Sequence, residues 1–334
     1  MNSPAGARIT APGIDRISSI EPVADSSYHG FQFLGRRTSG PLTLDVAYTY
    51  SHSIDDSSDR TEIPVDGLDI HANKASSSFD QRQLLEVSYV YTLPTLRWWE
   101  ALIDWIPKDP THGWNGSGTT ATAGRITRTI LENWQLSGTT LFNSGIPFSV
   151  YNAGYRNLQT GDILSVGDNA GVANGLSPLY ASYPDLVGSA KRGLQTAKEL
   201  GGDNAKSFGP LLLNPAAFAA PRGLTFGSAG RNVLNNPHRT NFDASLLKHF
   251  KLPRERDLEF RAEGFNVFNH TQFRIYDPSQ GNTPSNTISC YAGAEAGYSG
   301  GGGAGTDCYT GFSFLHPFNA HRARTIQFGL KLGF

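Results

Sequence analysis

"LTLDVAYTYSH", residues 42–52, alternates without a break: Leu42, Leu44, Val46, Tyr48 and Tyr50 share one face, and Thr43, Asp45, Ala47, Thr49 and Ser51 share the other. A period of two sustained over about eleven residues is a β-strand with one apolar and one polar side. The same pattern recurs in "QLLEVSYVYTL" from Gln83, in "WQLSGTTLFN" from Trp134 and in "FDASLLKHF" from Phe242. It returns in "LEFRAEGFNVF" from Leu258 and in "RTIQFGLKLGF", which ends at Phe334. A weaker alternation around Phe31 and Phe33 supplies a first strand before the turn Thr38–Pro41. In the fourth segment Lys248 falls on the apolar side, where a snorkelling ammonium near a membrane boundary is expected. Glu259, Arg261 and Glu263 all point to the polar side of the fifth, which suits a hydrated lumen with Arg261 paired to carboxylates across neighbouring strands.

Strand length separates two architectures that alternation leaves open. Strands of soluble domains cluster near about 5–6 residues, whereas a tilted bilayer-spanning strand needs about 9–11; these run to about 10–13. The expected fold is all-β, an antiparallel transmembrane β-barrel segment of about seven long strands. The strands are placed near 28–37, 42–53, 83–93, 130–143, 242–252, 257–268 and 322–334. Short turns alternate with long links at about 54–80, 144–240 and 270–321, as in barrels with short periplasmic turns and long external loops. The link 94–129 breaks that rule. Its "RWWEALIDWI" sets Trp98, Leu102, Trp105 and Ile106 at helical spacing, which reads as a periplasmic amphipathic insert at the interface or, alternatively, a packed core helix. Residues 1–27 read as a loop or disordered segment, and 28–334 as the C-terminal part of a barrel. Seven strands are too few and odd in number for a bacterial barrel that must leave no edge in lipid, so the segment is expected to be partial.

Composition removes other classes. The 334 residues carry Lys+Arg 28 against Asp+Glu 29, and the formal charge of -1 gives no field to gather nucleic acid. The longest apolar run, Ala216 to Ala220, is far too short for a helical span. The N-terminus has no signal-peptide core, so an exported form needs a leader lost or encoded upstream. The two cysteines, Cys290 and Cys308, lie in a Gly/Ser-rich stretch without zinc-type spacing; an extracytoplasmic disulfide is the preferred reading, with two unpaired thiols as the alternative.

The last strand is more specific. Polar Gln327, then Gly329, then Leu332 and terminal Phe334 resemble the β-signal read by the bacterial barrel-assembly machinery. The surrounding text resembles the C-terminal third of Oar-like TonB-dependent receptors, whose N-terminal module is carboxypeptidase-regulatory-like. The resembling stretches are "YTYSHSIDDSSD" (48–59), "SSFDQRQLLEVSYVYTLP" (77–94), "NWQLSGTTLFNSGIPFSVY" (133–151), "FGSAGRNVLNNPHRTNFDASLLKHF" (226–250), "LEFRAEGFNVFNHTQF" (258–273) and "ARTIQFGLKLGF" (323–334). The resemblance implies a barrel in the outer membrane of a Gram-negative bacterium that encloses a plug and imports a small ligand with energy relayed by TonB. No plug or TonB-contacting box is found here, so TonB would act only through that missing plug. The implied partners are outer-membrane lipid and the assembly machinery, with no nucleic acid. The alternatives are a soluble secreted β-sandwich for adhesion or carbohydrate binding, and a passive porin-like barrel.

Candidate chemistry is sparse. Asp55, Asp56 and Asp59 lack the glycine and glutamate of an EF-hand and read as a solvated turn. His316, His321 and the other histidines are too scattered for a metal site, and "GSAG" (227–230) before Arg231 and Asn232 lacks a phosphate-loop frame. No serine sits in a Gly-x-Ser-x-Gly elbow. Asn143, Asn266 and Asn269, with Phe142, Tyr151 and Phe268, suit either a sugar or peptide path or ordinary loop bonding. No catalytic residue, cofactor or metal is expected, and the chain is read as a transport component and not an enzyme.

Overall fold

A computed structural model of the chain describes residues 21–59, 62, 64, 66, 69–93, 134–153, 180–191, 207–219, 227–252, 256–290, 308–310 and 313–333. Seven long strands form one sheet: β1 (Ser26–Arg37), β2 (Leu42–Asp55), β3 (Gln83–Thr92), β4 (Trp134–Asn143), β5 (Arg239–Leu252), β6 (Arg256–Phe265) and β7 (Thr325–Gly333). They pair strictly in chain order, every pair antiparallel, as an up-and-down meander. All seven expected strands are present. The expected insert at 94–129 lies outside the described residues. Among the described residues no helix is long and apolar enough to cross a membrane.

The register carries the two-faced pattern across the whole sheet. Leu44 lies opposite Tyr89, Tyr89 opposite Gly138, Gly138 opposite Ala244, Ala244 opposite Gly264, and Gly264 opposite Ile326. One residue away, Asp45, Ser88, Thr139 and Asp243 form a polar row. A slip of one residue at any junction would have put polar side chains among the apolar ones. The polar face is not purely polar, since Leu84, Val90 and Leu141 share it.

Among the described residues nothing packs on the apolar face at its margins. Phe31 is 62% exposed, Phe328 74% and Leu330 71%. The buried hydrophobic cluster lies elsewhere. Phe148, Val150, Tyr183, Leu213, Phe218 and Leu234 come from the link β4–β5, and Ile275, Ile288, Phe314 and Leu315 from the link β6–β7. None of its members belongs to a long strand. A β-sandwich would bury the apolar sheet face as its core; among the described residues that face is uncovered at its margins.

Two side-chain expectations are corrected. Lys248 does not snorkel outward: it is fully buried, with its ammonium over the rings of Trp134 at 5.6 Å and Phe250 at 5.1 Å. Trp134 is its direct register partner, so the cation finds a π face one strand away before it needs water. Arg261 pairs along its own strand, with Glu259 at 2.8 Å and Glu263 at 3.5 Å. Residues two apart share a face at a distance a guanidinium spans easily. Glu263 is also reached from the neighbouring strand by Gln327.

The lipid-facing assignment predicts a one-sided response to charge. Leu246→Arg on the apolar face should lower stability in bilayers by roughly 2–4 kcal/mol, while Ser245→Arg on the polar face should change it little. Urea titration of the vesicle-inserted protein reads both, and equal losses would contradict the assignment.

Candidate functional site

Two regions can meet a solute: the polar face of the sheet and the cap built by the long links. On the polar face an open hollow of about 310 Å³ spans β2 to β6, lined by Asp45, Ser88, Ser137, Thr139, Asp243 and Glu263 among others. Its carboxylates are engaged. Asp45 accepts from Arg36 Nε at 2.6 Å, and Asp243 accepts from the Asn241 amide at 2.8 Å and from the backbone N–H of Asn266 at 2.8 Å.

The cap sits at the end of the sheet from which the links β2–β3, β4–β5 and β6–β7 leave. Its pieces are short, such as Pro147–Phe148 paired with Leu234–Asn235, and Tyr151–Ala153 paired with both Tyr180–Ser182 and Thr287–Cys290. Strands of two to four residues cannot hold themselves, so side-chain amides complete the ladders. Asn236 Oδ1 accepts from the backbone N–H of Ile275 and of Tyr276, and its Nδ2 donates to Tyr276 O. Asn286 Nδ2 donates to Ser149 O at 3.1 Å. Gly227 marks a close approach of two backbones. Its φ is +80°, and a Cβ there would lie 2.0 Å from Tyr183 O.

Arg231 joins the β2–β3 link to the cap. Its side chain is 1% exposed; Nη1 donates to Asp55 Oδ1 at 2.8 Å, and Nε donates to Glu62 Oε1 at 2.5 Å. Nη2 donates to Ser58 Oγ at 2.6 Å and Glu62 Oε2 at 3.0 Å. Burial by itself would lower the guanidinium pKa, but the hydrogen bonds and charges of Glu62 and Asp55 outweigh it and raise it. Next to it, Asn232 Nδ2 donates to Ser76 O at 2.7 Å. Burial pushes the Tyr151 phenol up to about 12 and Tyr183 well above the usual range, so both stay neutral donors beside this charged pair.

The sequence candidates resolve as follows. Asp55 is committed to Arg231 and Asp56 to His71 Nδ1 at 3.0 Å, and both are buried, so this stretch is neither a cation loop nor the solvated turn expected of it. Among the described residues no group of three His, Cys, Asp or Glu side chains could hold a metal ion. His52, Asp80 and Arg82 form a closed triangle: Nδ1 of His52 meets Asp80 at 3.0 Å, while its Nε2 accepts from Arg82 at 3.0 Å. With both ring nitrogens occupied, His52 has no lone pair for a hydroxyl nucleophile. Asn266 and Asn269 are consumed by backbone contacts, to His270 and Arg324 respectively, which is the ordinary loop role. Gln327, Gly329 and Leu332 lie in β7, and Phe334 lies outside the described residues. The sequence shows Arg231 only as the residue after a glycine-rich stretch, because its carboxylate partners Asp55 and Glu62 lie more than 160 positions away. The one local signal was its turn, with Gly230 at φ +71° and Asn232 at φ +52°.

A family model described as "Outer membrane beta barrel domain" matches residues 2–299, which takes in the first six long strands. No curated protein and no solved structure matches the chain.

Removing the guanidinium should loosen the cap from the sheet. Arg231→Met strands two carboxylates in a buried site, a loss of about 3–5 kcal/mol, and amide exchange at 53–58 and 231–235 should rise accordingly. Neutralising both acids in the same background should restore part of the protection, and unchanged exchange in the single variant would refute the clamp. Acid should act at a second point. His321 accepts from Arg274 Nε at 2.9 Å, and burial, then the charges of Arg274 and Arg239, lower its pKa to about 4. The folded pKa lies below the unfolded value near 6.5, so the unfolded chain binds more protons between them. The contribution is therefore complete above about pH 6.5 and is lost as the pH falls toward about 4. His321→Asn, tested by exchange at 272–277 across that window, should flatten the dependence.

Proposed function

The chain belongs to the outer membrane beta barrel domain family, and from that membership we propose that it forms part of the wall of a TonB-dependent receptor of the Oar-like type, acting in energy-coupled uptake of a small ligand. Localisation in the outer membrane of Gram-negative bacteria follows from the family. The receptor type rests on the six resembling stretches and on the β-signal pattern of Gln327, Gly329, Leu332 and Phe334.

The observation that carries this reading is the open, seven-stranded wall. Among the described residues β1 and β7 are the two ends of the sheet. Unpaired backbone groups in hydrocarbon each cost several kcal/mol, so further strands must complete the wall in the membrane. Seven strands with three long links at the cap end suit a section of a large receptor barrel, where the polar hollow faces the lumen and the cap faces outward. A passive porin-like barrel would share the polar wall, and the energy requirement separates the two.

Uptake by cells expressing the complete receptor should stop when the proton gradient is collapsed or TonB is deleted, with ligand binding at the surface retained. Uptake that persists in de-energised cells would establish the passive barrel. Deleting the link 144–238 from the complete receptor should abolish ligand binding while heat-modifiable barrel remains in the membrane; unimpaired binding would move recognition away from the cap.

A further inference from the structure

The strands Thr287–Cys290 and Cys308–Thr310 pair antiparallel, with Ile288 opposite Thr310, Ser289 opposite Tyr309, and Cys290 directly opposite Cys308. We infer that Cys290 and Cys308 are joined by a cross-strand disulfide that locks the outer end of this ladder to the cap. Residues facing each other across an antiparallel pair have Cα atoms about 4.5–5.5 Å apart, inside the roughly 4.4–6.8 Å that a disulfide spans. Spacing along the chain does not bring about such a match; a shift of one residue in the register would remove it. The protein has only two cysteines, so each has one possible partner within the chain.

The compartment supplies the chemistry. An outer-membrane protein is assembled through the periplasm, where disulfides form and persist. The two thiols lose two protons and two electrons as the S–S bond forms, and a periplasmic protein disulfide takes the electrons by thiol–disulfide exchange and becomes a dithiol.

The anchoring makes the bond a structural one. Ile288, two residues before Cys290, is 2% exposed within the hydrophobic cluster, and Thr287 and Ile288 pair in parallel with Tyr151 and Asn152. The crosslink thus fastens the strand Cys308–Thr310 to a strand already held on its other side. The inference depends on the outer-membrane location and not on the transport reading.

Alkylation tests it on the full-length protein taken from outer membranes. Unfolded in denaturant without reductant, the chain should take up no thiol reagent and should yield one peptide pair joining Cys290 to Cys308; after reduction both should be labelled. Cys308→Ser should make Cys290 reactive without reductant while the barrel still assembles. Full labelling of both cysteines before reduction, or a crosslink between two chains, would overturn the assignment.

Discussion

Backbone amides that enter hydrocarbon have nowhere to hydrogen-bond except to one another, and that requirement governs the long strands of this chain. The meander satisfies it in the simplest order, each strand paired with the next. Because every junction preserves the parity of the register, seven separately amphipathic segments become a single surface with one apolar and one polar side. The exposed Phe328 and Leu330 are then not defects of packing. On the outer face of an outer-membrane barrel, an apolar side chain has lipid as its expected surroundings.

The strands were legible because their signal is local. Alternation in "LTLDVAYTYSH" and "RTIQFGLKLGF" needs no knowledge of any other segment, and Pro41 and Gly40 mark the turn between the first two strands. The cap was not legible for the opposite reason. Its strands are too short to show a period, and what holds them is a set of asparagine and serine contacts to backbone groups far away in sequence, such as Asn286 to Ser149 and Asn232 to Ser76. Lys248 shows the same limit inside a strand that was otherwise read correctly. Its place on the apolar side was evident, but the rings of Trp134 and Phe250 that receive it depend on register.

Charge is used in two ways. On the polar face it is arranged in short-range pairs on one strand or adjacent strands, as in Arg36 with Asp45 and Arg261 with Glu259. These pairs are at least partly exposed and contribute little to stability; they set the character of a wetted wall. Arg231 is different because it is buried with Asp55 at the tip of β2. Such a pair adds less net stability than its short distances imply, but it accepts only one placement of the link that carries it. Specific placement of the cap over the strand ends is what the pair secures.

The separation of the hydrophobic cluster from the long strands means that the two parts of the molecule are held by different solvents. The cap buries apolar side chains away from water, with the large heat-capacity change and the weakening on cooling that this entails. The sheet gives its apolar side chains to lipid in the folded state and draws its cohesion from backbone pairing. Denaturant and temperature therefore act on the two unequally, and a single two-state stability is not defined for the whole chain. Calorimetry would register the cap as a transition of its own, within a wall that remains inserted.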